Sequence, residues 1–210
     1  MPCARCREAP ILLPMIPGSD HQRWFTIDPG ERPSPVILLA NLVLAAAAVS
    51  FAARISIPVP GSTVPQSLQT LAVVLTGMWM GPVWAPVAML LYLAAGATGL
   101  PLFADGASGV EVLAGPTAGY LAGFVIGAGI TGWSSRRAWI SPMAGLIWMS
   151  GMALAAHGVI LLLGWMRLVP LVGAGVAFST GVGPFLLGGI VKSVLAAGIW
   201  MFVEMSKPPE

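Results

Sequence analysis

One lysine lies deep in a long apolar segment, where an ionisable side chain indicates a functional site by default. Lys192 comes 11 residues after the start of the apolar run 181–203, which is roughly 16 Å along a helix. Placing an ammonium group there is unfavourable by at least about 2.5 kcal/mol on insertion scales. The next acid, Glu204, is 12 residues further on, too far along the helix to be a permanent partner of Lys192. The position therefore predicts that Lys192 binds an anionic ligand such as a carboxylate; the alternative is a lysine that snorkels or contacts a backbone carbonyl.

Other side chains could complete a site around this lysine. Gly188 and Gly189 precede Lys192 by about one turn and leave space beside it. Tyr92 and Tyr120 are the only tyrosines of the chain. Each offers an aromatic wall with a polar tip, which suits a ring-containing ligand or the packing of helices. We expect both tyrosines and both glycines to lie at the ligand.

Three further polar residues leave more than one interpretation open. Gln69 carries an amide that could bond a ligand or cap loop backbone. Asp105 is followed by Gly106, which is typical of a solvated turn, although its carboxylate could also bind the ligand. His157 lies in an apolar segment and is interpreted as a hydrogen-bonded packing residue.

The elements that must position these residues are predicted to be membrane helices. Hydrophobic residues make up 57% of the 210 residues and charged residues 9%, whereas about 25% of a soluble domain is charged. So little charge excludes a soluble domain, a disordered chain and a coiled coil. The net charge of +2 forms no basic stripe for nucleic acid. The composition therefore predicts an all-α integral membrane protein.

The apolar runs predict six transmembrane helices, each close to the roughly 20 residues that cross a bilayer. They span about 36–53, 66–80, 83–97, 117–133, 140–165 and 181–203. Prolines between 57 and 65 and the Gly81-Pro82 pair separate neighbouring helices, because proline removes a backbone donor. Long loops are expected at 54–65, 98–116 and 166–180.

Residues 1–34 are expected to be a cytosolic or disordered tail ahead of a membrane domain at 35–206. Cys3 and Cys6 lie in this tail. A zinc site would need a second pair of ligands nearby, so the two cysteines are interpreted as a reduced dithiol without metal.

The distribution of basic residues predicts the orientation. With the N-terminus inside, seven basic residues lie on the cytosolic side, and only Arg54 and Arg167 lie outside. Both termini are therefore expected in the cytosol. Trp133 and Trp139 flank one inner turn, where an aromatic belt belongs. The second, fourth and sixth helices then begin at the outer face, and their positive N-terminal ends favour an anion in a shared vestibule.

Several motifs of the chain resemble one known family. The resemblance covers about 55–204 and rests on these runs: Ile57-Pro-Val-Pro, Val64-Pro-x-x-Leu-Gln-Thr-Leu71, Tyr92 with Gly99-Leu-Pro-Leu-Phe-Ala104, Gly115-Pro-Thr-x-Gly-Tyr-Leu121, and Gly183-Pro-Phe-Leu186 followed by Lys192. In these runs the chain resembles the BioY family, the biotin-specific S components of energy-coupling-factor (ECF) transporters.

The resemblance implies a six-helix S-component bundle whose biotin pocket opens outward. It implies no enzymatic activity, no cofactor and no metal. The implied partners are the lipid bilayer, a T component and two ATP-binding-cassette ATPases in a plasma membrane of the bacterial inner-membrane type. The family motif resembles Pro-Gly-Asp-x-x-Lys; Lys192 matches its lysine, whereas Gly189 stands where it has Asp. Asp105, Gln69 or a tyrosine hydroxyl could replace that acid.

A stripe of small residues on the first helix has a role implied by the same resemblance. In S components an Ala-x-x-x-Ala face of this helix docks the T component. Ala48 and Ala52 have this spacing, and so do Ala46 and Ser50. The alternative is packing within the bundle.

Two alternative functions remain open from the sequence. One is an S component for a different carboxylated vitamin, because of Gly189. The other is an intramembrane serine protease, since Gly106-Ala-Ser-Gly109 matches the Gly-x-Ser-Gly pattern of rhomboids, with Ser108 as nucleophile and His157 as base. The protease is disfavoured, because Ser108 falls in a predicted loop, whereas a nucleophile must be held rigidly against its base.

Overall fold

The computed structural model is a bundle of helices. It describes residues 34–59, 64–137, 139 and 141–206. Cys3, Cys6, Lys207 and the predicted tail up to residue 33 lie outside the described residues. Four segments are long and apolar enough to cross a membrane: Pro35–Arg54, Gln69–Ala97, Pro142–Val172 and Ala174–Met205. The chain is a multi-pass membrane protein.

Seven helices and one small hairpin make up the described chain. The helices are α1 (Pro35–Arg54), α2 (Gln69–Ala97), α3 (Val110–Ala114), α4 (Ala118–Ser134), α5 (Pro142–Val172), α6 (Ala174–Gly181) and α7 (Gly183–Met205). Strands β1 (Ser56–Ile57) and β2 (Gln66–Ser67) pair antiparallel, and a single 3-10 turn covers Ala104–Gly106.

Helix α2 folds back on itself at Gly81. That residue has φ 80° and ψ −177°, a conformation essentially restricted to glycine, and Pro82 follows it. The side chains of Gln69 and Tyr92 form a hydrogen bond of 2.7 Å, although in a straight helix they would be about 35 Å apart. The two halves of α2 are therefore antiparallel, with the break where the sequence predicted it. The count of six crossings stays a prediction.

Helix α4 packs between α2 and α5. Gly119, Gly123 and Gly127 recur every fourth residue and face α5; a Cβ at Gly123 would lie 2.7 Å from Ile160 Cα. This small-residue spacing lets two helices approach closely. The glycines of α4 are therefore the small-residue stripe that brings two helices of this bundle together.

Four tryptophans lie at one end of the bundle, and two of them contact Arg137. Its guanidinium lies 4.4 Å from the ring centroid of Trp133 and 5.3 Å from that of Trp148, and Trp139 packs edge-on against Trp200 at 5.5 Å. These five residues form what we call the tryptophan end.

The structure corrects one expectation. The predicted loop at 166–180 is helical, since α5 continues to Val172 and α6 follows after Gly173, whose φ of 82° turns the chain. Apolar residues continue through this segment, and Pro170 is accommodated within α5. On α1, Ala48 is exposed and Ala52 is buried at 9% exposure, and the docking role of this helix stays a prediction.

Candidate ligand-binding site

A cavity of about 450 Å³ opens at the end of the bundle opposite the tryptophans. Tyr120 lines it, whereas Trp133 lies 13 residues further along α4, about 20 Å away. The N-terminal turns of α2 and α4, the middle of α5, the first half of α7 and the loop 103–117 surround it. Its volume falls within the range of about 300–1,000 Å³ that small-molecule sites occupy. We call this region the cavity end.

Lys192 reaches the cavity from α7 and contacts only neutral oxygens among the described residues. Its Nζ donates to the backbone carbonyl of Ser67 at 2.6 Å and lies 3.4 Å from the hydroxyl of Thr70. The lysine therefore contacts a backbone carbonyl, as one sequence interpretation allowed, and still lines the cavity. Neutral oxygens solvate the ammonium without cancelling its charge, so the site keeps a positive centre that an anion can approach.

Gln69 is held at the cavity wall by two neighbours. Its Nε2 donates to the hydroxyl of Tyr92 at 2.7 Å, and its Oε1 accepts from Ser67 Oγ at 3.1 Å. Tyr92 is wholly buried, does not line the cavity, and donates onward to the carbonyl of Leu102 at 3.2 Å. The ring of Phe103, which does line the cavity, meets Tyr92 edge-on at 5.4 Å. Tyr92 therefore lies behind the wall and supports Gln69 and Phe103; its direct contact with a ligand stays a prediction.

Tyr120 forms part of the wall on the side of α4. Its hydroxyl donates to the carbonyl of Gly181 at 2.7 Å, and its ring lies 6.4 Å from that of Phe185. Both rings line the cavity. Since the hydroxyl is committed to Gly181, the ring face is what Tyr120 offers to a ligand, as an aromatic wall.

Asp105 lies at the mouth of the cavity and holds the loop in place. It is exposed, has φ 55°, and accepts a hydrogen bond of 2.6 Å from Ser56 Oγ. Such a left-handed conformation is tolerated by Asp in turns. The turn interpretation therefore fits its geometry, although the residue also lines the cavity.

The loop at the cavity mouth is fastened by the two arginines predicted to lie outside. Arg54 Nη2 donates to the carbonyl of Pro101. Arg167 donates through Nε to Gly115 at 3.2 Å and through Nη2 to Ala114. Side chains on α1 and α5 thus hold the loop that borders the cavity.

The two glycines before Lys192 differ in their surroundings. Gly189 lines the cavity, and a Cβ built on it would lie 3.7 Å from His157. Gly188 does not line the cavity, and a Cβ there would overlap the amide of Gln66. Only Gly189 therefore leaves space for a ligand, while Gly188 lets α7 approach the β2 strand.

His157 is hydrogen-bonded as predicted, and it also lines the cavity. Its Nδ1 lies 2.9 Å from the carbonyl of Ala153 and 3.0 Å from Ser193 Oγ. Ser108 belongs to the loop after the 3-10 turn and does not line the cavity. The pair that a serine protease would need is therefore not assembled.

Several lining residues were missed by reasoning from the sequence. They are Ser67, Thr70, Phe103, Ile160 and Phe185. Thr70 and Phe103 lie inside motifs that carried the family resemblance, which was a usable signal. Ile160 had none, since an apolar residue in an apolar helix does not reveal which face it occupies.

The arrangement suits reversible binding of a small amphiphilic acid. Most of the wall is aromatic or aliphatic, and the few polar groups are one ammonium, one amide, one imidazole and several hydroxyls, with the carboxylates of Asp105 and Glu111 on the exposed loop. No group of three metal-binding side chains occurs among the described residues. Apolar walls with a few placed polar groups are typical of ligand sites.

Comparison with known proteins identifies relatives over most of the chain. A family described as the BioY family matches residues 30–208. The chain is 35% identical to the probable biotin transporter BioY of Pyrococcus horikoshii, over 74% of this chain and 88% of the relative. It is 31% identical to the biotin transporter BioY2 of Lactococcus lactis, over 75% and 84%, and 35% identical to the biotin transporter BioY of Thermotoga maritima, over 67% and 81%.

The fold also matches a solved structure. The crystal structure at 2.1 Å of the S-component for biotin from an ECF-type ABC transporter aligns with a TM-score of 0.70 at 18% identity, covering 83% of this chain and 94% of that one. The predicted S-component fold is thereby confirmed. On the family match and the identities to several relatives, the chain belongs to the BioY family, a family of transporter proteins rather than enzymes.

Proposed function

We propose that the chain captures biotin in this cavity and is the substrate-binding subunit of a biotin uptake system. The observation that carries the proposal is Lys192, a cation lining an apolar cavity and solvated only by neutral oxygens among the described residues. A carboxylate ligand supplies the missing charge. The names of the relatives, which are biotin transporters, supply the identity of the acid.

The chemistry of the wall matches the parts of biotin. The valerate carboxylate pairs with Lys192 near the positive N-terminal end of α2. The thiophane ring packs against the apolar side chains, among them Tyr120 and Phe103. The ureido group, which donates and accepts hydrogen bonds, requires polar partners such as the amide of Gln69.

We infer that this capture step takes place outside the cell. We infer six crossings of a plasma membrane of the bacterial inner-membrane type, both termini in the cytosol, and the cavity facing outward. The tryptophan end, with Arg137, then lies at the cytosolic interface. A T component and two ATPases supply the energy for release inside, and the T component docks on α1 over the exposed face that includes Ala48.

Calorimetric titration of the purified protein in detergent tests the proposal. We expect saturable binding of biotin, weak binding of biotin methyl ester, which lacks the carboxylate charge, and no binding of pantothenate. Tight binding of pantothenate and not of biotin would favour an S component for another carboxylated vitamin. Absence of saturable biotin binding would overturn the proposal.

Uptake assays test the partnership. Cells that express the chain with a T component and two ATPases should accumulate labelled biotin, and an inactive ATPase should abolish accumulation above the amount bound. Accumulation that is unaffected by the inactive ATPase would show transport without the energy-coupling module.

A further inference from the structure

One polar atom that lies among the cavity residues has no partner. The side chain of His157 is 4% exposed and lines the cavity. Its Nε2 is buried and forms no hydrogen bond with the described part of the chain. Buried polar atoms are nearly always hydrogen-bonded, and an exception calls for an explanation. Since this one belongs to a ring that lines the cavity, the explanation to test is a ligand.

The other ring nitrogen fixes what Nε2 can do. Nδ1 lies 2.9 Å from the carbonyl of Ala153, which can only accept, so Nδ1 carries a proton. Ser193 Oγ donates to the carbonyl of Gly189 at 2.7 Å and can therefore accept from the same Nδ1–H at 3.0 Å. In the neutral ring, Nε2 then has a lone pair and no hydrogen. It is a hydrogen-bond acceptor.

Gly189 places no side chain over the ring of His157 on the side of α7. A Cβ at position 189 would lie 3.7 Å from Cδ2 of His157, the ring atom bonded to Nε2. Any longer side chain there would cover the edge of the ring. His157 on α5 and Lys192 on α7 both line the cavity, and Gly189 lies three residues before the lysine. A ligand that displaces the apolar surface next to the ring can therefore meet both groups.

The ammonium of Lys192 and Nε2 of His157 require different chemical groups on a ligand. Lys192 donates and attracts an anion, whereas Nε2 of His157 accepts and requires an N–H or O–H. We propose that His157 determines specificity in this cavity by accepting a hydrogen bond from an N–H of the ligand, which is a ureido N–H when the ligand is biotin. This assignment rests on the proposed function and adds to it the group that recognises the ureido ring.

Two substitutions test the acceptor at Nε2 apart from the other hydrogen bonds of His157. His157→Asn keeps an amide donor near the position of Nδ1 and removes the acceptor at Nε2, whereas His157→Gln returns an amide oxygen near Nε2. We expect His157→Asn to raise the Kd for biotin on the order of tenfold, as for loss of one buried hydrogen bond. His157→Gln should recover most of that affinity. Equal losses in both variants would overturn the assignment.

Biotin derivatives methylated at either ureido nitrogen provide the matched ligand control. The derivative that lacks the N–H bound by His157 should bind wild type and His157→Asn equally. The derivative methylated at the other nitrogen should still bind wild type more tightly than His157→Asn. If His157→Asn weakens all three ligands by the same factor, its role is structural and the inference fails. If wild type binds biotin and His157→Asn binds it equally, only this inference fails. If wild type does not bind biotin, the proposed function fails first.

A spectroscopic measurement keeps the inference testable should the variants not fold. The chain has two histidines, and His21→Gln assigns the signals of 15N-labelled imidazoles in detergent. Without biotin, Nε2 of His157 should resonate as a nitrogen without a proton, and biotin should shift it toward a hydrogen-bonded position. A protonated Nε2, or a signal that biotin does not move, would overturn the assignment.

Discussion

Both ends of the bundle contain closely packed glycines, such as Gly119 near the cavity, but they differ in how their connecting segments are held. At the cavity end, long cationic side chains donate to backbone carbonyls of the connecting segments, as Arg54 does to Pro101 in a loop and Lys192 to Ser67 in β2. At the tryptophan end, rings and backbone are in direct contact, and a Cβ at Gly132 would overlap the backbone of Gly81. Side-chain bonds to loops can break and re-form, whereas close packing cannot yield without loss of stability. Binding and stability should therefore be separable by mutation.

Lys192→Ala should have the largest effect on binding and little effect on stability. Removing the charged partner of a desolvated carboxylate is unfavourable by about 2–5 kcal/mol, so the Kd for biotin should rise at least about thirtyfold. Titration calorimetry measures it, and thermal unfolding without ligand should be nearly unchanged or slightly higher. Lys192→Met keeps an unbranched apolar stem and should behave like the alanine variant. Unchanged affinity in either variant would remove Lys192 from the site.

Gly81→Ala should have the opposite effects to Lys192→Ala: a large loss of stability and no change in binding. A side chain at φ 80° is strained, and its Cβ would meet the guanidinium of Arg136. We expect destabilisation of about 2–3 kcal/mol, measured as a lower unfolding temperature in detergent. The Kd for biotin should stay the same in the fraction that folds.

Gly99→Ala is the matched control at the cavity end. Gly99 has φ 99°, also strained for other residues, but a Cβ there would have nothing within 4 Å. Its substitution should therefore destabilise by only about 1–2 kcal/mol. Equal losses at Gly81 and Gly99 would show that backbone strain alone, and not close packing at the turn, sets the stability of the tryptophan end.

The same contrast explains what the sequence could predict. The apolar runs predicted the helices, and the Gly81-Pro82 pair predicted the break in α2. Both signals are local in the sequence. The loop expected at 166–180 was wrong, since Gly173 and Pro170 were accommodated by helices that continue on either side of one turn. The register of the docking face on α1 stays a prediction, because only packing decides that Ala52 is buried and Ala48 exposed.

The site was predictable to the extent that its residues are chemically unusual in a membrane. Lys192 stands out in any apolar segment, and so it was found. Tyr92 stands out equally but lies behind the wall, since the fold-back of α2 turns its hydroxyl toward Gln69. The role of His157 could not be separated from packing, because the free nitrogen becomes visible only when the partners of the other one are known.

Tyr92→Phe should have an intermediate effect on binding. The variant keeps the ring against Phe103 and removes the acceptor of the Gln69 amide, so the wall keeps its shape while Gln69 becomes mobile. Loss of one such bond corresponds to about 1 kcal/mol, which is roughly a fivefold rise in Kd. Thr98→Val deletes a hydroxyl that, within the described part of the chain, donates to Ala95 of its own helix, and it should leave the Kd unchanged. Equal effects of the two variants would contradict the supporting role of Tyr92.

The smallest effects should come from replacing one arginine at each end by glutamine. Arg137→Gln removes a cation that lies over Trp133 and Trp148, which is worth about 0.5–1 kcal/mol. It should lower the unfolding temperature slightly and leave biotin binding unchanged. Arg167→Gln instead loosens the backbone at Ala114 and Gly115, where Gly115 lines the cavity.

Arg167→Gln should therefore act on the rate of biotin release more than on unfolding. A loop that opens more often lets the ligand escape faster, and most differences in affinity between related complexes arise in dissociation. Stopped-flow measurement of biotin release should show a faster rate of up to about fivefold for Arg167→Gln and the wild-type rate for Arg137→Gln. If both variants release biotin at the same altered rate, the two ends are mechanically coupled, and the division between a yielding cavity end and a packed tryptophan end does not hold.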